Sequence, residues 1–125
     1  MAKILAVDDE PHIRHLLNTI LTDAGHTVTQ VGDGDAAYES ASKNRPDLIL
    51  LDIRMPAKDG LTALKELRGH SATRSTPVII LTAMPADEGE STGMDLGVAH
   101  YISKPFVIGT VESAIRNALR ESAKV

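Results

Sequence analysis

The 125-residue chain contains no cysteine and no tryptophan. Without cysteine there are no disulfides, thiolate metal sites or thiol nucleophiles, and a reducing cytoplasm is the natural setting. Aromatics are scarce: Tyr38, Tyr101 and Phe106 are all there is to stack on bases, so single-stranded nucleic acid is a poor ligand. Long apolar runs are missing as well. Leu48 to Leu51 is four residues, against the roughly 20 that span a bilayer, and Met1 to Lys3 opens no signal-peptide pattern. An excess of positive charge is also absent. A net charge of -4 offers no basic face to nucleic acid or to an anionic membrane. What remains, 42% hydrophobic and 24% charged residues, is a globular average that excludes a disordered tail or a collagen-like repeat. A chain of this length buries roughly two thirds of its unfolded surface, enough for one core without staples. The expectation is a single domain spanning 1–125, with no repeat and no linker.

Periodicity places the elements. Ile4 to Val7 is a short β-rich apolar run, and Pro11 sits where a first helical turn begins. Ile13, Leu16, Leu17, Ile20 and Leu21 recur at three- and four-residue steps, which predicts one buried helical stripe stopping near Gly25. Thr27 to Val31 reads as a strand, Asp35 to Lys43 as an alanine-packed helix, and Asn44 to Pro46 as the break after it. Leu48 to Leu51 is apolar at every position, which suits a central parallel strand covered on both faces. A helix through Leu61, Leu64 and Leu67 follows, then a strand at Val78 to Leu81. A weakly patterned stretch from Pro85 to Gly97 precedes a short strand at His100 to Ser103. Val111, Ile115, Ala118 and Ser122 line a last helix. Five strands alternating with helices predict an α/β fold with helices on both faces of a parallel sheet.

Charge interrupts this pattern at telling places. Asp8, Asp9 and Glu10 follow the first strand, Asp52 the third and Lys104 the fifth, and the uncharged Thr82 follows the fourth. Those strand ends form the ligand crevice of an open parallel sheet, and the first and third strands are neighbours if the order is 2-1-3-4-5. Two carboxylates about 4 Å apart repel by roughly 4 kcal/mol at an effective dielectric of 20, so such a cluster calls for protons or a cation. A hard divalent ion that accepts oxygen ligands and keeps several waters answers that need. Singly, each residue has a plainer reading. Asp9 and Glu10 before Pro11 suit a helix N-terminus, Asp52 a turn before Pro56, Lys104 the solvated surface, and Thr82 the strand itself. Independent surface residues, however, have no reason to share one end of successive strands.

These motifs, Val7-Asp8-Asp9-Glu10, Leu51 to Pro56 with Asp59-Gly60, Leu81-Thr82-Ala83 and Tyr101 to Phe106, resemble the receiver domain of bacterial two-component response regulators. The resemblance covers the whole chain in the family's order and spacing. It implies the flavodoxin-like, doubly wound 2-1-3-4-5 sheet and a phosphoryl switch. Asp52 matches the phosphoacceptor, which takes a phosphoryl group from a sensor histidine kinase or phosphotransfer protein. Asp9, Asp52 and the backbone carbonyl of Arg54 match the ligands of Mg2+ (or Mn2+), with Asp8 acting through metal-bound water. Lys104 matches the ammonium that pairs with a phosphoryl oxygen, Thr82 and Tyr101 the pair that moves on transfer, and Lys104-Pro105 a cis peptide. The responding surface would be a short helix inside Pro85 to Gly97, the fifth strand and the last helix. A phosphorylation-dependent homodimer is compatible with this, and the domain itself is not expected to be an enzyme beyond its own phosphorylation and slow dephosphorylation. Arg54, Met84 and Ala57-Lys58 stand at variable positions of the pattern.

Other classes fit less well. Gly32 to Ala37 matches a Gly-x-Gly-x-x-Ala dinucleotide pattern, yet Asp33 and Asp35 would aim negative charge at a pyrophosphate. A phosphatase with an aspartyl nucleophile expects a second aspartate where Arg54 stands. His12 and His15 share a helix face, but five scattered histidines read better as surface residues than as a metal site. The serious rival is a constitutive, unphosphorylated docking module of the same fold.

Overall fold

In a computed structural model of the chain, the described residues are 2–53, 60–83 and 97–123. Arg54, Met55, Pro56, Ala57, Lys58 and Asp59, and the stretch from Met84 through Leu96, lie outside them, so the expectations placed there concern residues that are not described. The described strands are β1 (Lys3–Val7), β2 (Thr27–Val31), β3 (Leu48–Leu51), β4 (Val78–Thr82) and β5 (His100–Ser103). The helices are α1 (Pro11–Asp23), α2 (Gly34–Asn44), α3 (Gly60–Arg68) and α4 (Ile108–Ala123). All pairings are parallel, in the order β2-β1-β3-β4-β5, as the alternation of strands and helices predicts.

The pleat sorts the core into two layers. Ile4, Ala6, Leu48, Leu50, Ile79, Leu81 and Ile102 pack with Leu17 and Leu21 of α1 and with Val111, Ala114, Ile115 and Ala118 of α4. Leu5, Val7, Ile49, Leu51, Val78 and Ile80 pack on the other face against Ala37, Ala41, Ala63, Leu64 and Leu67 of α2 and α3. Period-2 alternation of side chains is the cause: neighbours along a strand face opposite layers. Burial on both faces explains why β3 and β4 carry no polar residue before their last positions. Each fully buried leucine or isoleucine contributes about 1.5–3 kcal/mol. α2 meets the sheet through its buried alanines, Ala37 and Ala41, with Tyr38 packed beside them.

Local chemistry sets the helix ends. α2 starts at Gly34, one residue before the predicted Asp35, because the Asp33 side chain accepts a hydrogen bond from the Ala36 amide at 2.8 Å and caps the first turn. That cap fills the helix N-terminus with a carboxylate, which removes the dinucleotide reading of Gly32 to Ala37. α1 ends at Asp23, with Gly25 at φ 94 in the left-handed region that glycine tolerates. Two expectations need correction. Leu16 is 41% exposed rather than part of the buried stripe: Leu17 and Leu21, four residues apart, point at the sheet, and Leu16 lies about 100° around the helix from Leu17. Ser122 is exposed, so the buried stripe of α4 stops at Ala118. No helix of the described residues is long and apolar enough to cross a membrane.

Candidate functional site

The sheet ladder runs one residue past the strand ends, and that residue is where the chemistry sits. Asp8 donates its amide to the Val31 carbonyl at 3.2 Å, Asp52 to Val7 at 2.9 Å, and Lys104 to Thr82 at 2.8 Å. Each functional residue is thus anchored by the backbone of the neighbouring strand. Asp8 and Asp52 continue the parity of Ala6 and Leu50, and Lys104 that of Ile102, toward the layer covered by α1 and α4. Their side chains meet there.

Asp52 stands at the centre, 4% exposed. The Thr82 hydroxyl, fully buried, donates to Asp52 Oδ1 at 2.6 Å. The Lys104 ammonium donates to Asp52 Oδ2 at 3.1 Å, to Asp8 Oδ2 at 2.6 Å and to Glu10 Oε1 at 3.0 Å. Asp8 is fixed further, because its Oδ1 accepts the Glu10 amide at 3.0 Å and its carbonyl accepts Arg14 Nη1 at 2.6 Å. Asp8, Asp9, Glu10 and Asp52 each bring a carboxylate oxygen within 4.8 Å of the others. Tyr101 is half-buried and packs against the α2/α3 layer. The Lys104-Pro105 bond is cis. Arg54 lies outside the described residues.

Electrostatics follow from this crowding. Burial pushes the Asp8 carboxyl above its ordinary range, and it outweighs the opposing pull of Lys104 and the Glu10 amide. Burial alone would lower the Lys104 ammonium, but hydrogen bonds to Asp8, Glu10 and Asp52 prevail and hold it above its ordinary 10.5. Four carboxylates against one ammonium leave an oxygen-only, negatively charged cluster, a donor set that fits a hard divalent cation.

The ammonium's structural share can be measured. Lys104→Met leaves Asp8 and Asp52 buried without their cation, and we expect a loss of about 2 kcal/mol in urea unfolding with chelator present. Because the folded ammonium is held above 10.5, its contribution is complete below that pH and disappears only as pH rises through the still higher folded value. The gap between native and variant should therefore stay constant from neutral pH to 10.5. A gap that closed as the pH rose from neutral toward 10.5 would refute the ion-pair account. Salt should narrow it only slightly, since the partners are buried.

Sequence reasoning underrated two residues. Glu10 reads as a helix cap, yet as the N-cap of α1 it makes no side-chain capping bond, and its carboxylate turns to Lys104 instead. Gly60 figures only within a motif; a Cβ there would collide with the Asp52 carbonyl oxygen and the Ile53 Cα. The acidic run at Asp8 to Glu10 hinted at the first, whereas only the packing of α3 on β3 reveals the second.

A doubly wound parallel sheet that gathers acids, a hydroxyl and an ammonium at its strand C-ends defines an α/β domain with a polar ligand crevice at that edge. The family model for the response regulator receiver domain matches residues 4–116, and the chain belongs to that family. It is 39% identical over 122 residues to the probable transcriptional regulator ycf27 of Porphyridium aerugineum, covering 98% of this chain and 50% of the relative. The chain spans about half the length of the curated relatives it matches. Among solved structures, the chemotaxis protein CheY4 of Vibrio cholerae superposes with TM-score 0.88 at 35% identity, covering 94% of this chain and 98% of that one. The receiver domain of the sensor histidine kinase PA1611 of Pseudomonas aeruginosa, solved with a magnesium ion in its active-site cleft, gives 0.85 at 34% identity, covering 94% and 97%. The chain is thus a receiver domain of two-component signalling.

Proposed function

We propose that Asp52 takes a phosphoryl group from a partner histidine kinase or phosphotransfer protein in the cytoplasm. The observation that carries this reading is the state of the Asp52 carboxylate: one oxygen is held by the Thr82 hydroxyl and the other by the Lys104 ammonium. A carboxylate so held is oriented for attack and already has a cation beside the position where phosphoryl charge will develop. An Asp52 oxygen attacks phosphorus, the bond from phosphorus to the donor nitrogen breaks, and its electron pair stays on the imidazole. Water later attacks the aspartyl phosphate, releasing inorganic phosphate and restoring the carboxylate.

Asp9, Asp52 and the Arg54 carbonyl would hold Mg2+ or Mn2+, with Asp8 orienting a bound water; the Arg54 share rests on family resemblance. The bound ion would place positive charge against the phosphoryl oxygens. Lys104 would neutralise a second oxygen, and Thr82 would donate its hydroxyl to a third. A phosphoryl group adds about 1.5 to 2 negative charges, enough to re-pair Thr82 and Lys104 and so to shift Tyr101, β5 and α4. A docking module that is never phosphorylated would not need acid, hydroxyl and ammonium assembled around one carboxylate.

Intact-protein mass after incubation with acetyl phosphate tests the reading. The expected result is one added phosphoryl group in Mg2+, with a rate roughly 100-fold lower in chelator. Uptake that proceeds equally in chelator would refute the metal-assisted part, and no uptake together with no binding of beryllofluoride would refute the whole.

A further inference from the structure

We infer that Glu10 is a positioning residue that acts through Lys104, competing with the phosphoryl group for the ammonium and so setting how readily Asp52 is modified. This rests on the phosphoacceptor reading of Asp52.

A lysine ammonium has three N–H donors, and Lys104 directs them to three carboxylates supplied by separate elements: Asp8 after β1, Glu10 at the N-cap of α1, and Asp52 after β3. To reach a phosphoryl oxygen, the ammonium must give up an acceptor. Asp8 is a poor candidate, being 2% exposed, 2.6 Å away and tied by its other oxygen to the Glu10 amide. Glu10 is 44% exposed at 3.0 Å, so water can replace the ammonium at little cost. Of the two carboxylates that do not themselves react, it is therefore the one the ammonium gives up more readily.

Backbone bonding explains why the side chain points this way. The Glu10 amide donates to Asp8 Oδ1, and its carbonyl accepts the amides of Ile13 and Arg14. The residue is locked as an N-cap, yet a glutamate in that position is one of the less suited cappers, and it makes no capping bond. Its outer oxygen lies 3.6 Å from the exposed His12 imidazole. A side chain that forgoes its local role to meet a lysine 94 positions away serves the site rather than the helix. The charge also bears on the donor: one more carboxylate at the mouth repels an incoming anionic phosphoryl group.

The experiment compares the native chain with Glu10→Gln, Glu10→Asp and Glu10→Ser for uptake from acetyl phosphate at saturating Mg2+. Glu10→Gln should raise the uptake efficiency roughly two- to fivefold, through the half-saturating donor concentration more than the maximal rate, and high salt should shrink the difference. Glu10→Asp keeps the charge and should return toward native behaviour. Glu10→Ser installs a better helix cap, so it should raise thermal stability and still accelerate uptake. A structural role would instead make uptake follow stability. The Lys104 Nζ resonance, read in metal-free buffer, should shift in Glu10→Gln. A native chain that takes up no phosphoryl group would overturn the reading beneath this inference. Uptake by Glu10→Gln at the native rate, or an unmoved Nζ resonance, would overturn the inference alone.

Discussion

Asp52→Asn is expected to take up no phosphoryl group under conditions that modify the native chain, a difference of at least about 1000-fold in rate. The amide has no negative charge to attack phosphorus. Its fold should survive. Lys104 keeps Asp8 and Glu10 as partners, and Thr82, which now donates to Asp52 Oδ1, can either donate to the amide oxygen or accept from its nitrogen. Removing one carboxylate from a cluster of four relieves repulsion, so unfolding stability should stay within about 1 kcal/mol of native. The loss of modification then reports chemistry and not misfolding. If Asp52→Asn were modified at the native rate, peptide mapping would show which of Asp8, Asp9 and Glu10 had served as acceptor, and the assignment of Asp52 would fall.

Asp52 is legible in the amino-acid sequence through contrast with its surroundings. β3 is apolar at every position, and a charge directly after a strand buried on both faces can only sit where the sheet opens. The same contrast marks Asp8 after Val7, whereas Lys104 follows the more polar and less buried β5, and the period-2 pleat puts all three on one face. Thr82 is less visible because a threonine suits a strand anyway. It belongs to the opposite parity in β4, whose residues Val78 and Ile80 face α2 and α3. Only the 2.6 Å bond to Asp52 shows that it reaches the site.

What the sequence concealed depends on distance along the chain. Whether Glu10 caps α1 or reaches Lys104 is a rotamer choice decided by a partner 94 residues away, and no local pattern encodes it. Arg68 is similar: from the last turn of α3 it donates to the carbonyls of Arg74 and Thr76 and so ties the turn after α3 to the start of β4, a role no local pattern announces. Leu16 misled for a different reason. Two adjacent leucines both match a three- and four-residue spacing, and only the direction of the sheet decides which is buried.

Gly60→Ala is expected to damage fold and site together, because the first residue of α3 lies against the peptide that carries Asp52. Its amide donates to the Ile53 carbonyl at 3.0 Å, which draws the helix start onto the strand end. An added Cβ would collide with the Asp52 carbonyl oxygen and the Ile53 Cα and would lie 2.9 Å from the Asp52 carbonyl carbon. All three are backbone atoms, so no side chain can swing aside. Overpacking in a core usually costs about 1–3 kcal/mol, and a clash with backbone should exceed that range, near 4 kcal/mol in urea unfolding. The strain can be relieved by moving α3 outward, which opens the layer of Ala63, Leu64 and Leu67 against β3, or by moving the Asp52 peptide. The second route would displace the carboxylate from Thr82 and Lys104, and a displacement near 1 Å costs about 100-fold in a positioned reaction. Unfolding and phosphoryl uptake measured on one preparation separate the routes. Lost stability with native uptake means that the helix yields, lost uptake in a folded chain means that the strand end yields, and a variant native in both would show that α3 does not approach β3 as closely as the Gly60 contacts require.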